Sequence, residues 1–354
     1  MRKGALSLIT VAVLLSLVMV ACGSDEPTPT TTGTTGQEEP TATGTTSQEE
    51  PTELTEVSLR LDWVAQGYQA PFYAALGLGY YEEEGLDVEI LDGRGTSTTI
   101  KVVANGNNTF GFGQLSEMAF AVANQEVPLK AIAGVFQSMP DAIFARAGSG
   151  IASPADLVGK EVISSAGDST RTFFPALAEA NGFDPDSVTF LNVSGESKTT
   201  AFVAGRGDAM LNFASDEFIV EEAGVDAEVL MYADYGVNVI SQGLFTSTDF
   251  LEQNPDVVAR FVRASMRGLD YARENPEEAS LWVLEFRPGA ETPEQALFEL
   301  NTTLPLMETV NSAGHPTGYM APEDWAQSVL LLQQYQDMQD VSPDLIYTNE
   351  FVGE

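Results

Sequence analysis

Four groups of polar and aromatic residues follow predicted strands, where they could contact a small molecule. They are Asp62-Trp63 with Tyr68-Gln69, and residues 93–98, 114–117 and 164–170. Amides, hydroxyls and carboxylates supply hydrogen bonds, and an aromatic ring stacks on a planar ligand. These residue types predict a binding site for a small planar molecule.

The candidate site needs one stacking ring and several polar contacts. The candidate binding residues are Asp62, Trp63, Tyr68, Gln69, Gln114, Ser165, Asp168, Ser169, Thr170 and Glu217. Each has a structural alternative. Trp63 and Tyr68 are also explained as packing aromatics, the residues of 164–170 as a helix N-cap, and Glu217 as a solvated loop acid.

The inventory of reactive residues argues against catalysis. The chain has one cysteine, Cys22, and one histidine, His315, which we interpret as a structural residue of the Gly-His-Pro turn at 314–316. No Ser/His or Cys/His nucleophile pair can be assembled from them, and no Cys/His metal site. We therefore expect no enzyme, no cofactor and no internal disulfide.

Net charge excludes another class of partner. The chain carries 52 acidic against 16 basic residues, a formal charge of −36. A polyanion would be repelled, so a nucleic-acid binder is excluded. The same field disfavours highly charged anionic ligands, although a local basic site could still hold one.

The N-terminus predicts the location of the protein. Arg2 and Lys3 precede an apolar run over residues 5–21, which is typical of a secretory signal and too short for a membrane span of about 20 residues. Cys22 stands where bacterial lipoproteins carry the lipidated cysteine. We expect a signal peptide over 1–21 and a lipid (palmitate) anchor at Cys22, on the extracytoplasmic face of the cell membrane. The alternative is an ordinary secreted protein with a stray cysteine.

Residues 22–56 are expected to form a disordered acidic linker. The segment GTTGQEEPT at 33–41 nearly recurs as GTTSQEEPT at 44–52, and the stretch has almost no aliphatic residues. It cannot bury enough apolar surface to offset the entropy of ordering, so it predicts a flexible spacer.

Strand and helix patterns alternate along residues 57–354, which predicts an α/β fold with open, mainly parallel sheets. This length favours two lobes over one core. Strands are predicted at 57–62, 88–90, 110–113, 131–136, 161–164, 188–191 and 209–213. Helices are predicted at 70–84, 96–104, 118–123, from 153, and at 170–181, 199–205, 255–275, 292–306 and 322–337.

An ordered set of motifs resembles one known protein family. The motifs are LDWVAQGYQAPFY at 61–73, GYYEEEGLDVE at 79–89, GRGTS at 93–97, SPADLVGKE at 153–161, GRGDA at 205–209 and NPDVV at 254–258. The chain resembles the periplasmic binding proteins related to thiamine-pyrimidine, taurine, alkanesulfonate and riboflavin uptake, over essentially all of 57–354.

The resemblance implies a two-lobed periplasmic-binding-protein fold of type II, with the ligand in the interlobe cleft. Residues 57–140 and 241–354 would form lobe 1, and 141–240 lobe 2. It also implies ABC permease and ATPase partners and a monomeric receptor. In the related pyrimidine binders a carboxylate near the position of Glu217 accepts from the ligand amino group.

The ligand is expected to be a neutral heteroaromatic vitamin. Sulfonate binders neutralise a fixed anion, and the candidate loops offer only Arg94 and Arg171. Pyrimidine binders commonly have His where Gln69 stands, which favours riboflavin. A thiamine-precursor aminopyrimidine is the first alternative, and taurine or another sulfonate the second. The synthase and desulfinase enzymes of this fold use reactive Cys or His residues that this chain lacks.

Overall fold

The computed structural model describes residues 54–166 and 168–353. The strands are β1 Thr55–Arg60, β2 Leu86–Leu91, β3 Phe110–Gln114, β4 Leu129–Phe136, β5 Asp141–Arg146, β6 Glu161–Ser164, β7 Thr189–Asn192, β8 Ala209–Phe213, β9 Ala227–Met231 and β10 Gln242–Ser247. The helices are α1 Ala70–Gly77, α2 Tyr80–Glu83, α3 Thr96–Ala104, α4 Leu115–Gln125, α5 Ser169–Thr172, α6 Phe174–Ala180, α7 Lys198–Val203, α8 Glu217–Glu222, α9 Thr248–Gln253, α10 Pro255–Glu274, α11 Pro276–Phe286, α12 Pro293–Thr303, α13 Pro322–Gln336 and α14 Pro343–Ile346.

The strands form two five-stranded sheets, with orders β2-β1-β3-β10-β4 and β7-β6-β8-β5-β9. The chain passes from the first sheet to the second between β4 and β5, and it returns between β9 and β10. We call residues 54–140 and 241–353 lobe 1, and residues 141–240 lobe 2. The α/β fold class is confirmed.

Both sheets are mixed, so the expectation of mainly parallel sheets was wrong. In lobe 1, β1 pairs in parallel with β2 and β3, whereas β10 runs antiparallel to β3 and β4. In lobe 2, β6 is parallel to β7 and β8, whereas β5 runs antiparallel to β8 and β9. The antiparallel strands are the ones that arrive by crossing between lobes, instead of through a strand–helix–strand unit.

Helix α10 shows how the sequence pattern places a helix on lobe 1. It begins at Pro255, whose missing N–H is harmless in the first turn, and it buries Val258, Phe261 and Leu269 on one face. Gly268 lets the helix approach α1 closely, since an added Cβ would lie 2.3 Å from the Pro71 carbonyl oxygen. α10 thereby fixes α1 over the sheet.

Apolar packing also connects the two lobes beside the segments where the chain crosses between them, which we call the hinge side. Tyr232 and Ile240, on the returning segment, belong to the same buried cluster as Leu177 of lobe 2 and Trp325 of α13. Tyr232 also donates from its hydroxyl to the Thr170 carbonyl at 2.8 Å. This cluster ties the two lobes together beside the cleft.

Some element boundaries differ from the expectation. The helix predicted over 170–181 is divided into α5 and α6, since Pro175 cannot continue a helix from the preceding turn. The helix expected from Ser153 is only a 3-10 turn, Pro154–Leu157. Thr55 and Glu56, assigned to the linker, already pair with Leu86 and Asp87 in the sheet. The signal peptide, Cys22 and the rest of the linker lie outside the described residues.

Candidate functional site

Three adjoining cavities open where the strand ends of the two lobes converge, as expected for ligand sites of open α/β sheets. The central cavity, of 280 Å³, is lined by Gln66, Tyr68, Gln114, Phe136, Pro140, Phe213, Ala214, Ser215, Ser241, Gln242, Glu299, Thr302, Thr303 and Leu306. The hinge cavity, of 480 Å³, shares Gln114, Pro140 and Phe213 with it and adds Asp141 and Ser169. The lobe 2 cavity, of 530 Å³, contains Asp168, Lys198, Asp216 and again Phe213.

Asp62, which follows β1, organises one wall of the central cavity from behind. Its carboxylate accepts from the Tyr68 hydroxyl at 3.1 Å, from Gln69 Nε2 at 2.8 Å and from Gln242 Nε2 at 2.7 Å. Burial raises the pKa of Asp62, and the bonds from Gln69 and Tyr68 oppose that shift. Asp62 and Gln69 therefore hold Tyr68 and Gln242 in place, and these two side chains line the cavity.

Tyr68 is one of the aromatic rings that lobe 1 places at the central cavity. It sits in the 3-10 turn Gly67–Gln69, and Gly67 is required there, since an added Cβ would lie 2.1 Å from the Ala296 carbonyl oxygen. Burial, followed by the charge of Asp62, raises the pKa of Tyr68 well above its usual value. The phenol thus stays protonated and continues to donate to Asp62.

Trp63 is not brought to the cleft. Its side chain is 51% exposed and lines none of the three cavities. The rings that line the central cavity are those of Tyr68, Phe136 and Phe213. Of the two aromatic residues predicted to contact a ligand, Tyr68 lines the central cavity and Trp63 does not.

The segment 164–170 reaches the cleft with two of its predicted residues. Asp168 lines the lobe 2 cavity and forms an ion pair with Lys198, whose Nζ lies 2.5 Å from Asp168 Oδ2. Ser169 lines the hinge cavity and donates to Asp141 Oδ1 at 2.6 Å. Ser165 and Thr170 are buried and line none of the three cavities, so the structure does not place them against a ligand.

Glu217 lies away from these cavities. It lines a separate depression together with Val220 and Val229 of lobe 2. Its neighbour Asp216 faces the lobe 2 cavity instead and accepts from the Thr199 hydroxyl at 2.8 Å. Of these two neighbouring acids, only Asp216 lines one of the three cavities.

Several residues that line the cavities were not among the predicted ones, and they include Phe213, Asp141, Lys198 and Glu299. Phe213 ends β8, and that position at a strand end was a usable signal. Asp141 begins β5 beside the crossing between lobes, and burial raises its pKa to about 7 against the bonds from Ser169 and the charge of Lys198. Lys198 and Glu299 lie on helices, where the sequence does not reveal which face meets the cleft.

The two lobes also touch across the cleft. Phe218 of α8 packs on Phe298 of α12, with ring centroids 4.8 Å apart. α12 in turn packs on the turn that carries Tyr68, through Ala296 and Gly67. The helix therefore joins the ring-bearing turn of lobe 1 to the surface of lobe 2.

Within residues 54–166 and 168–353, no group of three or more His, Cys, Asp or Glu side chains is arranged to hold a metal ion. In the same part of the chain, no helix has the length and apolarity to cross a membrane.

Several known proteins are similar to this chain. The riboflavin-binding protein RibY of Chloroflexus aurantiacus is 29% identical, covering 98% of each chain. A formylaminopyrimidine-binding protein of Halalkalibacterium halodurans is 27% identical over 80% of this chain and 86% of its own. A 4-amino-5-hydroxymethyl-2-methylpyrimidine phosphate synthase of Legionella pneumophila is 29% identical over 68% and 76%.

Solved structures give the same fold. The periplasmic sulfonate-binding protein SsuA of Methylobacillus flagellatus superposes with a TM-score of 0.65 at 16% identity, covering 84% of this chain and 93% of its own. Residues 66–279, more than half of the sequence, match the family described as NMT1/THI5 like. The chain belongs to the NMT1/THI5-like family and has the fold of the periplasmic binding proteins.

Proposed function

We propose that this chain is the substrate-binding component of an ABC importer and that it binds riboflavin between its lobes without chemical conversion. The observation that carries the proposal is the lining of the central cavity. It combines the rings of Tyr68, Phe136 and Phe213 with amide and hydroxyl side chains, and its lining includes no Lys, Arg or His. A neutral planar molecule fits these groups, and the full-length similarity to RibY supports riboflavin.

The size of the cleft also suits a ligand with two parts. A tricyclic ring would occupy the central cavity against Tyr68 and Phe213. The hydroxylated side chain would extend past Gln114 and Pro140 into the hinge cavity, where Asp141 and Ser169 offer hydrogen-bonding oxygens. The roles of these residues in binding are part of the proposal.

A thiamine-precursor aminopyrimidine is the second candidate ligand. The central cavity alone, of 280 Å³, would hold one small ring, and the similarity to a formylaminopyrimidine-binding protein supports this alternative. Asp216 and Glu299 are the carboxylates available to accept from an amino group. Sulfonates are disfavoured, because the central cavity supplies no cation to neutralise them.

A fluorescence titration tests the ligand. Riboflavin bound against Tyr68 should lose most of its fluorescence, because a phenol can donate an electron to the excited flavin. The dissociation constant should lie between about nanomolar and micromolar, the usual span of specific binding. Competition with 4-amino-5-hydroxymethyl-2-methylpyrimidine and with taurine is the control. If riboflavin is not quenched while the pyrimidine raises the unfolding temperature, the alternative ligand replaces riboflavin.

We further propose that the mature protein is held at the extracytoplasmic face of the membrane by a lipidated Cys22. The signal pattern of residues 1–21 and the acidic linker support this arrangement. Mass spectrometry of the purified protein should find an N-terminal Cys22 bearing acyl chains. A chain that begins at Met1 with an unmodified Cys22 would contradict the anchor.

A further inference from the structure

Two carboxyl groups meet at the wall of the central cavity. Glu299 of α12 lines the cavity, and its carboxyl is hydrogen-bonded to that of Glu291, which precedes the helix. Glu291 is held in place because its Oε2 accepts from the Gly67 backbone N–H at 2.9 Å. Gln295 Nε2 lies 3.4 Å from the Glu299 Oε1 atom. The pair therefore belongs to the same packed unit as the turn that carries Tyr68.

One oxygen atom of each carboxyl group lacks a hydrogen-bond donor unless the pair holds a proton. Glu291 Oε1 and Glu299 Oε2 are buried and have no hydrogen-bond partner as ionised acceptors. Two carboxylates cannot hydrogen-bond to each other, so their contact requires one proton between them. Burial first, and then the charge of Glu291, raises the pKa of Glu299 to about 8. At neutral pH the Glu299 carboxyl is thus mostly protonated.

The groups around the pair do not offer a counter-charge. The titratable side chains that face it are Tyr68, a neutral phenol, and Asp62 behind that phenol. From lobe 2, α12 contacts Phe218 through Phe298, and it also contacts the turn Ala214–Asp216, whose titratable residue Asp216 is another acid. A second ionisation of the pair would place two negative charges beside the ligand, with no cation among the residues that line the central cavity.

We infer that Glu299, paired with Glu291, is a specificity-determining residue, and this inference rests on the proposed function. Glu299 admits a neutral ring only while the pair retains its proton. A ring in the central cavity displaces water from the carboxyl, and removal of water disfavours the ionised form further. The ligand and the proton therefore stabilise each other's binding, and each raises the affinity of the other by the same factor.

The test measures the dissociation constant of riboflavin from pH 6 to pH 9. In the unmodified protein the constant should stay level to about pH 7.5 and then rise, by about tenfold between pH 7 and pH 9, as one proton is lost. Glu299→Gln keeps a neutral, donor-bearing side chain, so its constant should be nearly independent of pH. Glu294→Gln, an exposed change on the same helix with the same change in net charge, should behave like the unmodified protein.

A level profile in the unmodified protein, or the same rise in Glu299→Gln, would overturn the inference. A second measurement does not depend on riboflavin. In the folded state the pKa of Glu299 is raised from its usual 4.5 to about 8. The protonated Glu299 therefore contributes its full stability below about pH 4.5, and this contribution is lost as the pH rises toward about 8. The urea midpoint of the unmodified protein should fall relative to that of Glu299→Gln across this range, and parallel curves would reject the shared proton.

If riboflavin fails to bind at every pH, the proposed ligand is wrong. The same titration is then made with 4-amino-5-hydroxymethyl-2-methylpyrimidine as the probe. A tenfold loss of its affinity from pH 7 to pH 9 that is absent in Glu299→Gln would retain the inference, and equal profiles would overturn it.

Discussion

Replacing Phe213 with alanine is expected to weaken riboflavin binding by about 1–3 kcal/mol, or roughly 5- to 150-fold in Kd. Phe213 ends β8 and lines all three cavities, so its ring lies where a ligand that spans the cleft must pass. Phe213 is 37% exposed, and a bound ring would cover that surface. Quenching titrations of the two proteins measure the difference directly.

The matched control is Trp63→Ala, which removes an even larger ring. Because Trp63 is half exposed and does not line the cavities, its loss should change Kd by no more than about twofold. If Trp63→Ala weakened binding as much as Phe213→Ala, the stacking ring would be the one that the sequence first indicated, and the cleft geometry described above would not be the binding geometry.

Replacing Lys198 with methionine should lower the free energy of unfolding by about 3 kcal/mol, the lower end of the range for breaking a buried ion pair. Lys198 is 3% exposed and its partner Asp168 is 25% exposed, so solvent screens the remaining carboxylate only in part. The loss of the cation should also raise the pKa of Asp141 further, since Lys198 lowers it. Urea denaturation at pH 7 measures the change in stability.

An exposed ion pair provides the comparison. Arg267 and Glu83 are 2.8 Å apart with side chains 42% and 61% exposed, so Arg267→Met should cost less than about 1 kcal/mol. Adding Asp168→Leu to Lys198→Met should restore much of the lost stability, because no charge is then left unpaired. If Lys198→Met and Arg267→Met lowered the free energy of unfolding equally, the buried ion pair would stabilise the fold no more than the exposed one.

The regular elements of the fold were predictable where the signal is local. The helix expected over 96–104 is α3 with the same bounds, and the strands expected over 161–164 and 209–213 are β6 and β8. Their apolar periodicity and flanking Gly or Asp residues lie within a few positions. By contrast, β5, β9 and β10 were not predicted. β5 and β10 cross between the lobes, and the partners of all three strands lie more than 60 residues away in the sequence.

The residues of the candidate site were likewise predictable only where the signal is local. Tyr68, Gln114, Asp168 and Ser169 line the cavities and follow strand ends, a property that a sequence pattern carries. The exposure of Trp63 could not be predicted, since it depends on the direction of one loop. Glu299 meets the cleft only because α12 packs on the turn at Gly67. Such a placement depends on tertiary contacts and has no local signature.

Under the proposed function, the contact between Phe218 and Phe298 has a consequence for the thermodynamics of ligand binding. Both rings belong to the protein, so part of the free energy that joins the lobes is present before any ligand arrives. The apparent dissociation constant equals the intrinsic one divided by the fraction of receptors already in the binding-competent state, so this contact tightens binding without touching the ligand. Under the same proposal it would shorten the time that an emptied receptor spends open, and the lifetime of that state would limit how quickly the next molecule can enter.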